Sequence, residues 1–257
     1  MKKLGFKNFI IFLNFLWMIL LHNLLLPAPT YSGEFRVTPI RLDFEKGAKS
    51  GVITVINEGE GRLTFQIKAF EWTQNAEGKD QYIETNDIIF FPRIMTIEKG
   101  EEKILRAGIR VPATLKEKTY RLFIEEIPEP KEAEGVNVAI AIRFGVPIFV
   151  KPIKEEIKGV IEKIDLSKGN LSMTVRNTGN THFAIQSINI RGKNARGEEI
   201  FSKELSGWYL LGGVSRLYST TISEETCKAI SKIDLEVKAD RLTLSGKLDV
   251  DQAMCLP

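Results

Sequence analysis

VNVAIAIRFGVPIFVKP, Val136–Pro152, is the stretch whose reading decides the fold. From Val136 to Ile142 it alternates in steps of two, with Val136, Val138, Ile140 and Ile142 apolar and Asn137, Ala139 and Ala141 small. Period two over this length predicts a β-strand. A half-buried antiparallel strand carries charged or large polar side chains on its wet face; here that face is Asn and Ala, so both faces read as covered. The apolar run resumes at Phe144 and ends at Lys151-Pro152. Such a strand is either a sheet interior or an edge prepared for a guest strand, and the residues alone leave both open.

Outward from it, the whole chain sets the class. Its 257 residues are enough for two domains, and a net charge of +3, spread in both signs, gives no case for nucleic acid. Met1-Lys2-Lys3 and Lys7 precede a nearly unbroken apolar run, Phe9–Pro27, and Pro27-Ala-Pro-Thr-Tyr-Ser-Gly33 follows. This predicts a secretory signal peptide over residues 1–32, cleaved after Ser32, with an uncleaved anchor as the competing reading. In both cases the body of the protein lies outside the cytoplasm. Two cysteines remain, Cys227 and Cys255, and in an exported protein such a pair forms a disulfide. The runs Ile233–Val237 and Leu242–Ser245 flank a hairpin turn that brings the two cysteines back toward each other. Inward residues are odd-numbered before the turn and even-numbered after it, so direct pairing of 227 with 255 needs a bulge or an irregular end.

Taken in order, the mature chain reads as short strands separated by turns. Phe35 and Val37 are apolar at odd positions; Ile40, Leu42 and Phe44 are apolar at even ones, with Pro39 at the change. A strand that exchanges its buried face midway can cross from one sheet of a sandwich to the other. Strands follow at Val52–Ile56, Leu63–Trp72, Ile88–Phe91, Ile94–Ile97, Lys103–Ile109 and Thr119–Pro128. This is an antiparallel sandwich of about seven strands. The pattern restarts after Lys151–Glu156. Thr174-Val-Arg-Asn-Thr-Gly-Asn180 echoes Thr54-Val-Ile-Asn-Glu-Gly-Glu60, and Asn and Gly there would supply a left-handed backbone. Strands then run through Phe183–Ile190, Glu199–Leu205 and Val214–Ile222. Ser223 before Glu224-Glu225 is the one helical start.

Chemistry is sparse. His182 is the only histidine of the mature chain and reads as structural. No Cys/His cluster has metal spacing, no glycine-rich phosphate loop follows a strand, and no nucleophile elbow is present. Trp72 and Trp208 read as core. These features predict a protein that is not an enzyme, without cofactor, metal or small-molecule substrate.

Val37-Thr-Pro-Ile-Arg41, Phe91-Pro92 with Ile97-Glu-Lys-Gly100 and Arg106, Tyr120–Pro128, and Val146-Pro-Ile-Phe-Val-Lys-Pro152 together resemble the periplasmic pilus-assembly (PapD-like) chaperones. Trp72-Thr-Gln74 with Gly78 and Asp80 leans toward the family's archaic-type branch. The resemblance implies an all-β protein of two Ig-like β-sandwich domains in tandem, set at an angle, at 33–152 and 153–257. It implies a periplasmic chaperone that lends its own strand to a pilus or fimbrial subunit lacking one, by donor-strand complementation, and passes the subunit to an outer-membrane usher. Val136, Val138, Ile140 and Ile142 would fill the subunit's groove, a gross gain of roughly 6–12 kcal/mol before ordering and association costs. The family also anchors the subunit's C-terminal carboxylate with a basic pair. Arg41 matches its arginine; Pro147 stands where the lysine belongs. Arg121 is the candidate substitute, with Lys151 behind it, and a solvated strand face is the plain alternative for Arg121. Arg106, Glu117 and Lys151 match structural charges. The rival readings are an exported structural or adhesive Ig-like module and a membrane-anchored scaffold.

Overall fold

The computed structural model describes residues 34–45, 47, 49–128 and 140–256. The leader 1–32, Val136 and Val138 lie outside the described residues. Before Lys151 run β1 (Phe35–Thr38), β2 (Leu42–Phe44), β3 (Ser50–Asn57), β4 (Leu63–Gln74), β5 (Asp80–Glu84), β6 (Ile88–Phe91), β7 (Ile94–Ile97), β8 (Glu102–Ile109), β9 (Lys118–Glu126) and β10 (Arg143–Val150). They form two facing sheets, β1-β3-β8-β6 and β2-β10-β9-β4-β5, with β7 also on β4. Ile53, Val55, Leu105, Phe65, Leu122, Ile124, Val146 and Ile148 fill the space between them. The chain is all-β, two sandwiches in tandem, with a small share of helix.

The change of phase around Pro39 is the predicted sheet crossing. β1 pairs antiparallel with β3 in one sheet, and β2 pairs parallel with β10 in the other. Proline fits this crossing because no ladder needs its missing N–H. The ten segments exceed the expected seven partly because this one strand counts twice.

The second sandwich holds β11 (Gly159–Ser167), β12 (Asn170–Asn177), β13 (Phe183–Lys193), β14 (Glu199–Ser206), β15 (Tyr209–Leu210), β16 (Ser215–Thr221), α1 (Glu224–Ala229), β17 (Lys232–Ala239) and β18 (Thr243–Asp249). Its sheets are β11-β12-β16 and β14-β13-β17-β18, with β15 on β13. Sequence periodicity missed β11 and β15, the former because its apolar residues are diluted by Glu162, Lys163 and Asp165. Ser223 caps α1 by accepting the Thr226 N–H at 3.3 Å.

Cys227, on α1, is bonded to Cys255, at the end of a 3₁₀ turn (Gln252–Cys255). The β17–β18 ladder sets odd residues opposite even ones, Ile233 on Leu248 and Val237 on Leu244. Both inward sets therefore meet, and the helical ends outside the ladder absorb the one-residue mismatch.

The echo between the halves is a true structural repeat, for a different reason than expected. Neither Asn57 nor Asn177 is left-handed, and neither is Gly59 or Gly179. Each asparagine is instead fully buried and holds its turn with its amide. Asn57 Nδ2 donates to the Gly61 and Ile97 carbonyls, and its Oδ1 accepts from Gly59 N–H. Asn177 Nδ2 donates to the Thr181 and Leu210 carbonyls, and its Oδ1 accepts from Gly179 N–H. Gly179 is required for space: a Cβ there would sit 2.2 Å from the Glu156 carbonyl oxygen.

Candidate functional site

β10 is bound on one side along its whole length by β9, from Arg143 opposite Glu125 to Val150 opposite Lys118. On its other side β2 covers only Ile148, Phe149 and Val150. Among the described residues nothing pairs with Arg143–Pro147 on that side, so half of a central-looking strand is an open edge. Pro147, which cannot donate, stands at the boundary between the two halves.

The expected strand through Ile142 is corrected at its described end: regular pairing starts at Arg143, and Ile140–Ile142 precede it. The cause lies on β9. Glu126 N–H still donates to Ile142 O at 2.9 Å, Ile127 N–H serves Thr64 O on β4 by ordinary alternation, and Pro128, next in turn on the β10 side, has no N–H to offer. Ile140 is therefore unpaired with β9 and 72% exposed. Along β10 the even residues Val146, Ile148 and Val150 face the core, and Phe144 packs against its rim. Ile142 and Phe144 line an apolar groove with Phe35, Val37 and Ile40, bordered by Glu34, Arg36 and Glu58. The groove is the open mouth of the sandwich between the β1 edge and the β10 edge.

The odd residues of β10 face away from this core, and Phe149 among them meets His182 and Tyr209 of the second sandwich. Arg41 directly precedes Leu42, which pairs with Ile148, so Arg41 lies beside Pro147 on the β2 side. Arg121 lies opposite Pro147 on β9. The two arginines thus flank the proline, about two strand spacings (roughly 10 Å) apart in backbone. Arg41 is exposed, forms an ion pair with Asp43 at 2.8 Å, and holds its guanidinium 6.0 Å from the Phe149 ring centre. Phe149 in turn lies 5.9 Å from Trp72, and Trp72 lies 4.0 Å under the Arg121 guanidinium. A row of aromatic rings connects the two cations.

Arg121 is not on a solvated face: it is 6% exposed. Its Nη1 donates to Gly145 O at 3.0 Å, while Nε and Nη2 find no hydrogen-bond partner. Burial lowers its pKa, and nearby Tyr82 and Asp80 offset that by favouring the charged form. Trp208 and Tyr209 of the second sandwich lie 5.7 and 5.6 Å from its Cζ. A buried guanidinium has already lost most of its water on folding, which lowers the further desolvation cost of meeting an anion. Lys151, by contrast, is committed to Glu45 at 2.8 Å. Arg106 sits exposed on β8, opposite Val52 and Phe91.

The second sandwich is held against this face by side chains. Gln74 Nε2 donates to Tyr209 O and its Oε1 accepts from Leu211 N–H. Glu117 accepts from Thr181 Oγ1 and from His182 N–H, and its Oε2 lies 2.7 Å from His182 Nδ1. The His182 ring stacks on Phe149 at 3.6 Å. Trp72, Phe149 and Leu211 form a small buried cluster between the sandwiches. Trp72 is thus buried as expected, whereas Trp208 is 43% exposed, a correction to its reading as core. Sequence reasoning missed Trp208 and Tyr209 because only the tertiary fold brings them to β9. Gln74 and Asp80 were visible only as parts of the motif around Trp72. Among the described residues no group of three His, Cys, Asp or Glu side chains is placed to hold a metal ion, and no helix is long and apolar enough to cross a membrane.

Residues 34–155 match the family model described as pili and flagellar-assembly chaperone, PapD N-terminal domain. The chaperone protein FanE of Escherichia coli is 23% identical over 171 residues, covering 63% of this chain and 70% of FanE. Among solved structures, a chain of the CsuC–CsuE chaperone–tip adhesion subunit pre-assembly complex of Acinetobacter baumannii superposes with a TM-score of 0.58. That match has 21% identity and covers 82% of this chain and 98% of that one. A chain from the Salmonella enterica SafA pilin–SafB chaperone complex gives 0.55 at 15% identity, over 87% and 100%. At these identities the solved structures carry the fold alone. Residues 34–155 of this chain therefore carry a domain of the PapD N-terminal type.

Proposed function

We propose that this chain is a periplasmic chaperone that captures pilus subunits by donor-strand complementation and hands them to an outer-membrane usher. Its leader is cleaved after Ser32, and the two domains at 33–152 and 153–257 act as one body. The observation that carries this reading is the open half of β10. Among the described residues Arg143–Pro147 lack a neighbour on one side, an exposed Ile140 precedes the strand, and Ile142 and Phe144 line an apolar groove. A structural or adhesive module has no use for such an edge, which invites aggregation unless a partner covers it. In the proposed complex the subunit lies along β10, with Ile140 and Ile142, and further out Val136 and Val138, entering its groove. Main-chain hydrogen bonds set the register without demanding one subunit sequence. The subunit's C-terminal carboxylate binds Arg41 and Arg121, the latter in place of the lysine that Pro147 displaces. The pattern of Trp72-Thr-Gln74 with Gly78 and Asp80 favours the archaic-type branch.

The test is co-purification with a co-expressed pilus subunit. Ile140→Ala reduces subunit recovery while the free chaperone stays soluble with unchanged melting. Arg41→Ala and Arg121→Ala each reduce recovery as well. Loss of soluble expression in Ile140→Ala would instead place Ile140 in the chaperone's own core, and full recovery with Arg121→Ala would remove Arg121 from the site.

A further inference from the structure

Two nitrogens of the Arg121 guanidinium, Nε and Nη2, have no hydrogen-bond partner, yet solvent barely reaches the side chain. Two exposed aromatic side chains lie between it and water: Tyr82 of β5 and Trp208, contributed by the second sandwich. The Trp208 indole Nε1–H donates to Asp80 Oδ2 at 2.9 Å, and its ring meets Tyr209 edge-on at 5.6 Å. Asp80 is itself held, its Oδ1 accepting from Gln74 Nε2 at 2.9 Å and its Oδ2 from the Tyr82 hydroxyl. Trp208 follows Gly207 in the irregular step between β14 and β15. Its indole is therefore fastened at its outer edge to a carboxylate that also offsets the charge of Arg121.

We propose that Trp208 is the gate of the Arg121 site: the indole, latched by Asp80, swings aside when a client's terminal carboxylate reaches Nε and Nη2. This rests on the reading of Arg121 as a carboxylate anchor. The latch does two things in the empty protein. It keeps water from the guanidinium, and it engages one Asp80 oxygen so that this resident anion does not close onto Arg121. A gate on the second sandwich also makes carboxylate capture depend on both domains, although the anchor itself is on the first.

The experiment uses the full mature protein and two synthetic peptides of alternating apolar sequence, identical except that one ends in a free carboxylate and the other in an amide. Association and dissociation rates are measured by stopped flow, following tryptophan emission, whose only sources in the mature chain are Trp72 and Trp208. The carboxylate peptide binds at least several-fold tighter than the amide, and its binding shifts an emission component that disappears in Trp208→Phe. Trp208→Ala and Asp80→Asn accelerate association of the carboxylate peptide several-fold and leave the amide peptide unaffected. Arg121→Ala abolishes the preference in every background. Equal binding of the two peptides, or none of either, removes Arg121 as an anchor and the gate with it. A carboxylate preference that needs Arg121 but keeps its association rate in both Trp208→Ala and Asp80→Asn retains the anchor and overturns the gate.

Discussion

At the scale of single residues, buried side-chain amides and one buried cation govern this protein. Asn57 and Asn177 occupy equivalent places in the two sandwiches, and each satisfies two carbonyls and one N–H that lie beyond the reach of a strand partner. Asn57→Ala and Asn177→Ala each leave these groups unpaired, at about 2–3 kcal/mol. A lowered urea midpoint in both variants is the expected result. The sequence made the repeat legible but not its reason: Asn-x-Gly reads equally as a left-handed turn, and only coordinates reveal the amide turned inward. Arg121 is a similar case. Its alternation on β9 with buried Tyr120 and Leu122 reads as a wet face, because sequence periodicity cannot see that a second domain covers that face with Trp208 and Tyr209.

At the scale of elements, the alternation of apolar residues was a faithful guide wherever one sheet face meets the core. The face change at Pro39 correctly marked β1 and β2 as one strand shared between two sheets, and the hairpin holding Cys227 near Cys255 was also legible. What alternation could not decide is whether an apolar strand has neighbours on both edges, since side chains report on faces and backbone pairing on edges. β10 shows the difference: β2 reaches only as far as Leu42, so among the described residues Arg143–Pro147 have no neighbour on that edge, and Pro128 ends the β9 side. Because Ile140 is exposed in the free protein, Ile140→Ala alters client binding rather than folding. Loss of about three methylene-sized groups from a buried contact corresponds to about 2 kcal/mol, roughly a 30-fold weaker complex. Isothermal titration with a purified pilus subunit measures it, and an unchanged melting curve for the free variant accompanies it.

At the scale of the whole molecule, two separate cores are coupled by the Gln74, Glu117 and Trp72 contacts, and the chain between them is tied down by charge. Arg241 hydrogen-bonds Glu155 at 2.7 Å and holds that carboxyl below its ordinary range; Lys193 does the same for Asp234. A depressed folded-state pKa contributes stability above the unfolded pKa, near 4, and that contribution is lost as pH falls through the lower folded value. The urea midpoint therefore declines between about pH 5 and about pH 3, and Asp234→Asn flattens the decline; an equally steep decline in that variant would show that Asp234 does not contribute to it. The central claim is that the open half of β10 accepts a client's strand, and amide hydrogen exchange across Ile140–Val146 tests it most directly. The account predicts fast exchange at outward-facing amides of this segment in the free protein and strong protection on addition of a pilus subunit. Full protection without a subunit, or exchange unchanged by saturating subunit, would contradict it.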